Sequence, residues 1–225
     1  MAKKKMKRKP KKLLIVLILI LIIIIGSIIC YFTIFNKKTV KENKVVSKIP
    51  SYGYTLKSNK SSAYKKLFQE LKDVLTTKKV DEKKYAKTIT KMFIVDFYSL
   101  NDHTAKTDVG GTDFVYSAVL DNFLLNAEDT IYKYVESNIY KQRTQKLPVV
   151  DVVSIDSVKN TEYTYGDNSD DNAYEVSAHW TYKDTKIADG YQTKAKFIYV
   201  HDGKKLVLVE INDGSETESD SEENE

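Results

Sequence analysis

The chain has 225 residues, with 36 Lys+Arg against 31 Asp+Glu, and its formal charge of +5 is segregated rather than spread. Residues 1–12 carry eight positive charges and no negative one, 214–225 carry six negative and no positive one, and 36–213 hold 28 against 25. A central part so near neutrality excludes the basic surface that nucleic acid demands, and the lone Cys30 excludes a disulfide framework within the chain.

In chain order, 1–12 (MAKKKMKRKPKK) is a basic tail. Residues 13–35 follow, 23 positions without a charge. At a helical rise of ~1.5 Å per residue they cover roughly 35 Å, enough for a hydrocarbon core of ~30 Å with some tilt. Tyr31 and Phe32 stand near the far end, where aromatic rings favour the interface. The Lys/Arg excess ahead of the run places the N-terminus in the cytoplasm and the remainder outside. A cleaved signal peptide would have a shorter apolar stretch and a small-residue cleavage site. A lipoprotein would want a small residue where Ile29 precedes Cys30, so Cys30 reads as a buried small apolar side chain. The expectation is a single-pass plasma-membrane protein, N-terminus in, with an extracytoplasmic C-terminal domain.

Residues 36–60 mix Lys, Ser and Asn with Pro50 and Gly53 and read as a stalk, although Tyr52, Tyr54 and Leu56 alternate as in a short strand or packed arm. The domain proper is expected over 61–213. Tyr64, Leu67, Phe68, Leu71, Val74 and Leu75 predict a helix over 61–78, with Ser61 or Ser62 as its cap. Tyr85, Ile89, Met92, Phe93, Phe97 and Leu100 predict a second over 81–100, capped by Asp81. Residues 101–111 (NDHTAKTDVGG) are turn chemistry. A third helix is expected from Thr112 or Asp113, with a stripe running from Tyr116 through Leu120, Phe123 and Ala127 to Val135 and a kink at Asn126.

Pro148 ends the helical half. A β-branched run from Val150 to Val158 predicts one strand, and Tyr174, Val176, Ala178, Trp180 and Tyr182 predict a half-buried second, with 166–172 (GDNSDDN) as a polar loop between them. If Trp180 faces the helices, His179 faces solvent. Strands over 191–200 and 204–211 meet across His201, Asp202 and Gly203, and Asp-Gly there signals a hairpin. The acidic 214–225 reads as a solubilising tail. Helices first and about four antiparallel strands after them imply an α+β domain with three helices packed on one face of a curved sheet.

That order, with the aromatic ending of the second helix (FIVDFYSL, 93–100), resembles the NTF2-like, cystatin-like cone. One branch of that superfamily stands on a single membrane helix with a short basic cytoplasmic tail: the assembly factors of type IV secretion and Gram-positive conjugation machines. The topology here resembles theirs, and the Lys-, Asn- and Tyr-rich composition suits an AT-rich Gram-positive bacterium. The resemblance implies a cone whose mouth can hold a small ligand or catalytic carboxylate, and protein partners at the cell envelope.

The candidate site residues are few. Asp96 falls within the apolar stripe of the second helix, where a carboxylate must be paired, hydrogen-bonded or protonated. It is either an acid or base in the mouth of the cone, with Tyr98 and His103 beside it, or a structural carboxylate bonded to a tyrosine hydroxyl or backbone N–H. The 16 tyrosines favour the second reading. His103 lies between Asp102 and Asp108, but His103, His179 and His201 are too scattered for a zinc site, so no metal or other cofactor is expected. Residues 108–111 (DVGG) before a helix resemble an anion-binding start, or simply a glycine turn. No nucleophile elbow, phosphate loop or dinucleotide fingerprint is present. The expected function is a non-catalytic interaction or scaffold domain of a bacterial envelope or transfer assembly. The alternatives are a small-ligand binder or enzyme built around Asp96 and a cell-wall binding domain.

Overall fold

The structure, a computed structural model, describes residues 24–25 and 44–213. The chain divides into two compact units, Met1–Asn43 and Lys44–Glu225, and every element below belongs to the second. The basic tail, the acidic 214–225 and, apart from Ile24 and Ile25, the apolar run 13–35 lie outside the described residues. Among the described residues no helix is long and apolar enough to cross a membrane.

The unit opens on a small antiparallel hairpin, β1 (Val45–Ile49) and β2 (Tyr54–Lys57). Of the two readings of 36–60, a stalk or a packed arm, the described part, from residue 44, takes the second. Strand alternation turns Tyr54 and Leu56 inward, and with Ile49 they are buried in the main core. The Tyr54 and Tyr85 hydroxyls lie 2.7 Å apart, and Tyr85 also accepts the Leu206 N–H at 3.2 Å. One hydrogen-bond chain thus ties the arm to a helix and to the sheet.

α1 (Ser62–Leu75) is capped by the Ser61 hydroxyl, which accepts from the Tyr64 N–H at 3.2 Å. α2 (Glu82–Phe97) is capped by Asp81, which accepts from the Lys84 N–H at 3.0 Å. Both caps match the sequence reading. α2 packs on α1 and on the sheet, so nearly its whole circumference is buried. It stops at Phe97, short of the expected Leu100, because Ser99 leaves helical geometry and its hydroxyl accepts the Val150 N–H at 3.2 Å.

The third helix departs further from expectation. α3 covers only Leu120–Asp129, preceded by 3₁₀ turns at Thr112–Phe114 and Ser117–Val119. Between those turns Val115 bridges in parallel to Leu208, and the Tyr116 N–H donates to the Leu208 carbonyl at 2.9 Å, so the chain crosses the sheet edge extended. At the far end the Thr130 hydroxyl donates to the Asn126 carbonyl at 2.6 Å and the helix stops instead of kinking. The expected stripe therefore ends early, and Tyr134 is 75% exposed.

Four antiparallel strands follow in the order β3 (Val150–Tyr165), β4 (Asn168–Tyr182), β5 (Lys194–Asp202) and β6 (Lys205–Asn212). The polar loop expected over 166–172 is corrected to a two-residue turn, since Tyr165 pairs with Asn168 and the polar residues after it belong to β4. The β5–β6 hairpin stands as expected, shifted one residue: Asp202 pairs with Lys205, leaving Gly203 and Lys204 as the turn. Gly203 has φ +60, the requirement of a type II′ hairpin at its first central position. Inward residues of the sheet meet α2 and α3 in an aromatic interior. Ring centroids lie 4.4 Å apart for Tyr98–Trp180, 5.7 Å for Phe93–Phe197 and 5.2 Å for Phe97–Phe123.

Candidate functional site

Asp96 sits in the last turn of α2 with its side chain 12% exposed. Both carboxylate oxygens are occupied. Oδ1 pairs with the Lys60 ammonium, and Oδ2 accepts the Gly111 N–H at 2.9 Å. Lys60 also lies over the Tyr64 ring, 5.0 Å from its centroid. The backbone N–H is a partner foreseen for the structural reading of Asp96, and a lysine from the arm is present in addition. Gly111 reaches the carboxylate because it has φ +75 and lies against the Phe93 ring, which a Cβ there would meet at 2.6 Å. Residues 108–111 form this glycine turn, and its Gly111 N–H goes to Asp96 itself.

His103 is buried beside it. Its Nε2 lies 2.7 Å from the Asp96 backbone carbonyl, which makes it the donor, and its Nδ1 lies 3.9 Å from the Asp108 carboxylate. Burial by itself would depress the His103 pKa, but Asp108 and the Asp96 carbonyl outweigh it and hold the pKa above the ordinary histidine value. Asp108 in turn is held well below the usual carboxylate range, by His103 first and by the Thr104 N–H and hydroxyl against the cost of burial. Asp96 and His103 thus meet through the backbone carbonyl, not through the carboxylate. Tyr98 points elsewhere: its hydroxyl donates to Gln192 Oε1 at 2.9 Å, and burial pushes its pKa far up, so it stays a neutral donor. The three candidates do not converge on one reacting point.

Tyr132 completes this corner. Its hydroxyl accepts the Gly110 N–H at 3.0 Å and donates to the Phe97 carbonyl at 2.6 Å. Arg143 then ties the loop after α3 to the loop after α2, donating to the carbonyls of His103 at 3.0 Å and Asn101 at 3.0 Å. Neither residue carries a sequence signal, because neither belongs to a periodic element.

The described residues form, among others, two concave regions. An open groove of about 700 Å³ runs between α3 and β6, walled by Val119, Phe123, Ala127 and Ile211, with Asn122, Asn126, Thr130, Gln192 and Asn212 among its polar positions. It touches Phe97 and Tyr98 but not Asp96. Glu210 and Asp213 border it, and Glu210 accepts the Tyr163 hydroxyl. A second hollow of about 640 Å³ lies at the start of α2 and holds Glu82, Tyr174 and His201. There the His201 Nδ1 lies 2.8 Å from Asp170 and its Nε2 lies 3.6 Å from Glu82, to which the Tyr174 hydroxyl donates at 2.9 Å. Sequence reasoning missed this chain because Asp170 was assigned to a loop and His201 to a turn. His179 faces outward as expected and pairs with Asp156 at 2.7 Å across the sheet, while Trp180 is buried. No group of three or more His, Cys, Asp or Glu residues among the described residues is arranged to hold a metal ion. No family model, curated protein or solved structure matches the chain.

Proposed function

We propose that this chain is a single-pass, membrane-anchored protein whose extracytoplasmic domain is a non-catalytic interaction module of a bacterial envelope or transfer assembly, built on an NTF2-like plan. The observation that carries the reading is the occupied carboxylate of Asp96: Lys60 and Gly111 consume the group that an enzyme of this architecture would use as its acid or base. Aromatic rings pack against one another in the interior beside it. The larger of the two open regions described is the groove along β6, an edge strand whose outer side is covered at Leu208 by the short extended crossing of Val115. An apolar trough beside a sheet edge suits an extended segment of a partner protein.

The second reading is a small-ligand binder using the same groove, and the polar side chains of Asn122, Asn126 and Gln192 set among apolar ones favour it. A cell-wall module would display aromatics on the sheet, whereas the exposed tyrosines here, Tyr134 and Tyr140, are on a loop. A photo-reactive residue in place of Asn122, irradiated in the native cells, separates the readings. Covalent adducts with a discrete protein support the interaction module. Absence of protein adducts, with a small molecule retained on the purified chain and lost on Ala127→Trp, would replace it by the ligand binder.

A further inference from the structure

The 20 residues between α3 and β3, 130–149, contain no regular helix or strand, yet they are pinned in place. Tyr132 and Val135 are buried at one root, Leu147 at the other. Gln145 clamps the neck, donating to the Tyr134 carbonyl at 2.8 Å and accepting the Glu136 N–H at 3.0 Å. Asn138 anchors the middle: its N–H donates to the Thr104 carbonyl at 2.6 Å and its side chain accepts the Arg143 N–H at 3.1 Å. Lys141 has φ +57, the one non-glycine residue with positive φ among the described residues, and its N–H closes a turn onto the Asn138 carbonyl at 2.9 Å. A strained residue of this kind persists only where its surroundings over-determine it. That turn lifts Ile139 and Tyr140 to its apex at 57% and 76% exposure, and Tyr134 beside the neck is equally open.

So much ordering, used to hold apolar side chains in water, needs a partner to explain it. Charge says which kind. Lys133, Lys141 and Lys146, all exposed, alternate with those side chains along the loop, with Glu136 as the only carboxylate in 130–149. Lys133 leans over the Tyr134 ring at 5.5 Å. Tyrosines interleaved with lysines match an anionic lipid surface, where rings settle at headgroup level and ammonium groups meet phosphates. Eight residues, 36–43, separate the apolar run from the start of the described domain. Fully extended they span at most about 28 Å.

We infer that the 130–149 loop docks on the anionic headgroup surface of the membrane that holds the apolar run 13–35, which rests on the anchored reading above. The full chain with Tyr140→Trp is reconstituted into vesicles of phosphatidylglycerol and phosphatidylcholine in equal parts, some carrying brominated acyl chains. The other tryptophan, Trp180, is buried in the core and serves as the unquenched reference. Flotation reads the anchor, and quenching reads the loop. Docking predicts a blue-shifted, quenched signal in the mixed vesicles but not in pure phosphatidylcholine. Each of Lys133→Gln and Lys141→Gln lowers the docked fraction, by roughly five-fold in the docked-to-free ratio. A chain that floats without quenching overturns the docking alone, and a chain that does not float overturns the anchor with it. Equal quenching in both vesicle types overturns the anionic preference. Quenching absent, with a spectral shift on adding poly(glycerol phosphate), overturns the lipid in favour of an anionic wall polymer.

Discussion

At the residue scale, Asp96 decides how the domain is read. Removing its carboxylate strands a partly buried ammonium and the Gly111 N–H, so Asp96→Ala should cost about 3 kcal/mol. Asp96→Asn keeps an acceptor for Gly111 and should cost less. Lys60→Met should destabilise too, and the double variant by less than the sum, with a coupling of about 1–3 kcal/mol. Chemical unfolding of the four proteins checks this, and a zero coupling would mean that the pair does not hold the fold. His103 makes a separate prediction. Its pKa is raised in the fold, so the stability it adds is complete below its unfolded value of about 6.5 and is lost as pH climbs through the folded value. Asp108 is lowered, so its share is complete above about 3.9 and is lost as pH falls toward the folded value. The melting temperature should therefore crest between those limits and decline above them, and His103→Gln should flatten the upper decline.

At the scale of elements, what the sequence disclosed and what it hid divide by range. The caps Ser61 and Asp81, the stripe of α1 and the β5–β6 hairpin were legible because each depends on neighbours a few residues away. The early ends of α3 were not, because Val115 is drawn out by Leu208 far along the chain. The role of Asp96 was legible only as a position that needed a partner. Lys60 was invisible, since 36 residues separate the pair and the lysine looked like part of a solvated stalk. The arm tests this directly. Ile49, Tyr54 and Leu56 are each buried, at roughly 1.5–3 kcal/mol per large side chain against a typical domain stability of ~5–15 kcal/mol. A fragment of 61–213, the boundary expected from sequence, should fail to unfold cooperatively, whereas 44–213 should show a single sharp transition by calorimetry. Equal cooperativity would mean that the arm is dispensable.

At the scale of the molecule, a compact α+β unit follows a segment that contains the apolar run 13–35. The proposed module needs that unit to face the cell exterior, since an envelope partner is met only there. Two single-cysteine chains in a Cys30→Ser background place it: Thr181→Cys on the exposed side of β4, and Ala2→Cys in the basic tail. Intact cells are treated with a membrane-impermeant maleimide, before and after permeabilisation, and the membrane fraction is collected. The expected result is labelling of the cysteine at 181 in intact cells and of the cysteine at 2 only after permeabilisation, with both chains in the membrane fraction. Labelling at 181 only after permeabilisation, or recovery of the chain in the soluble fraction, would contradict it.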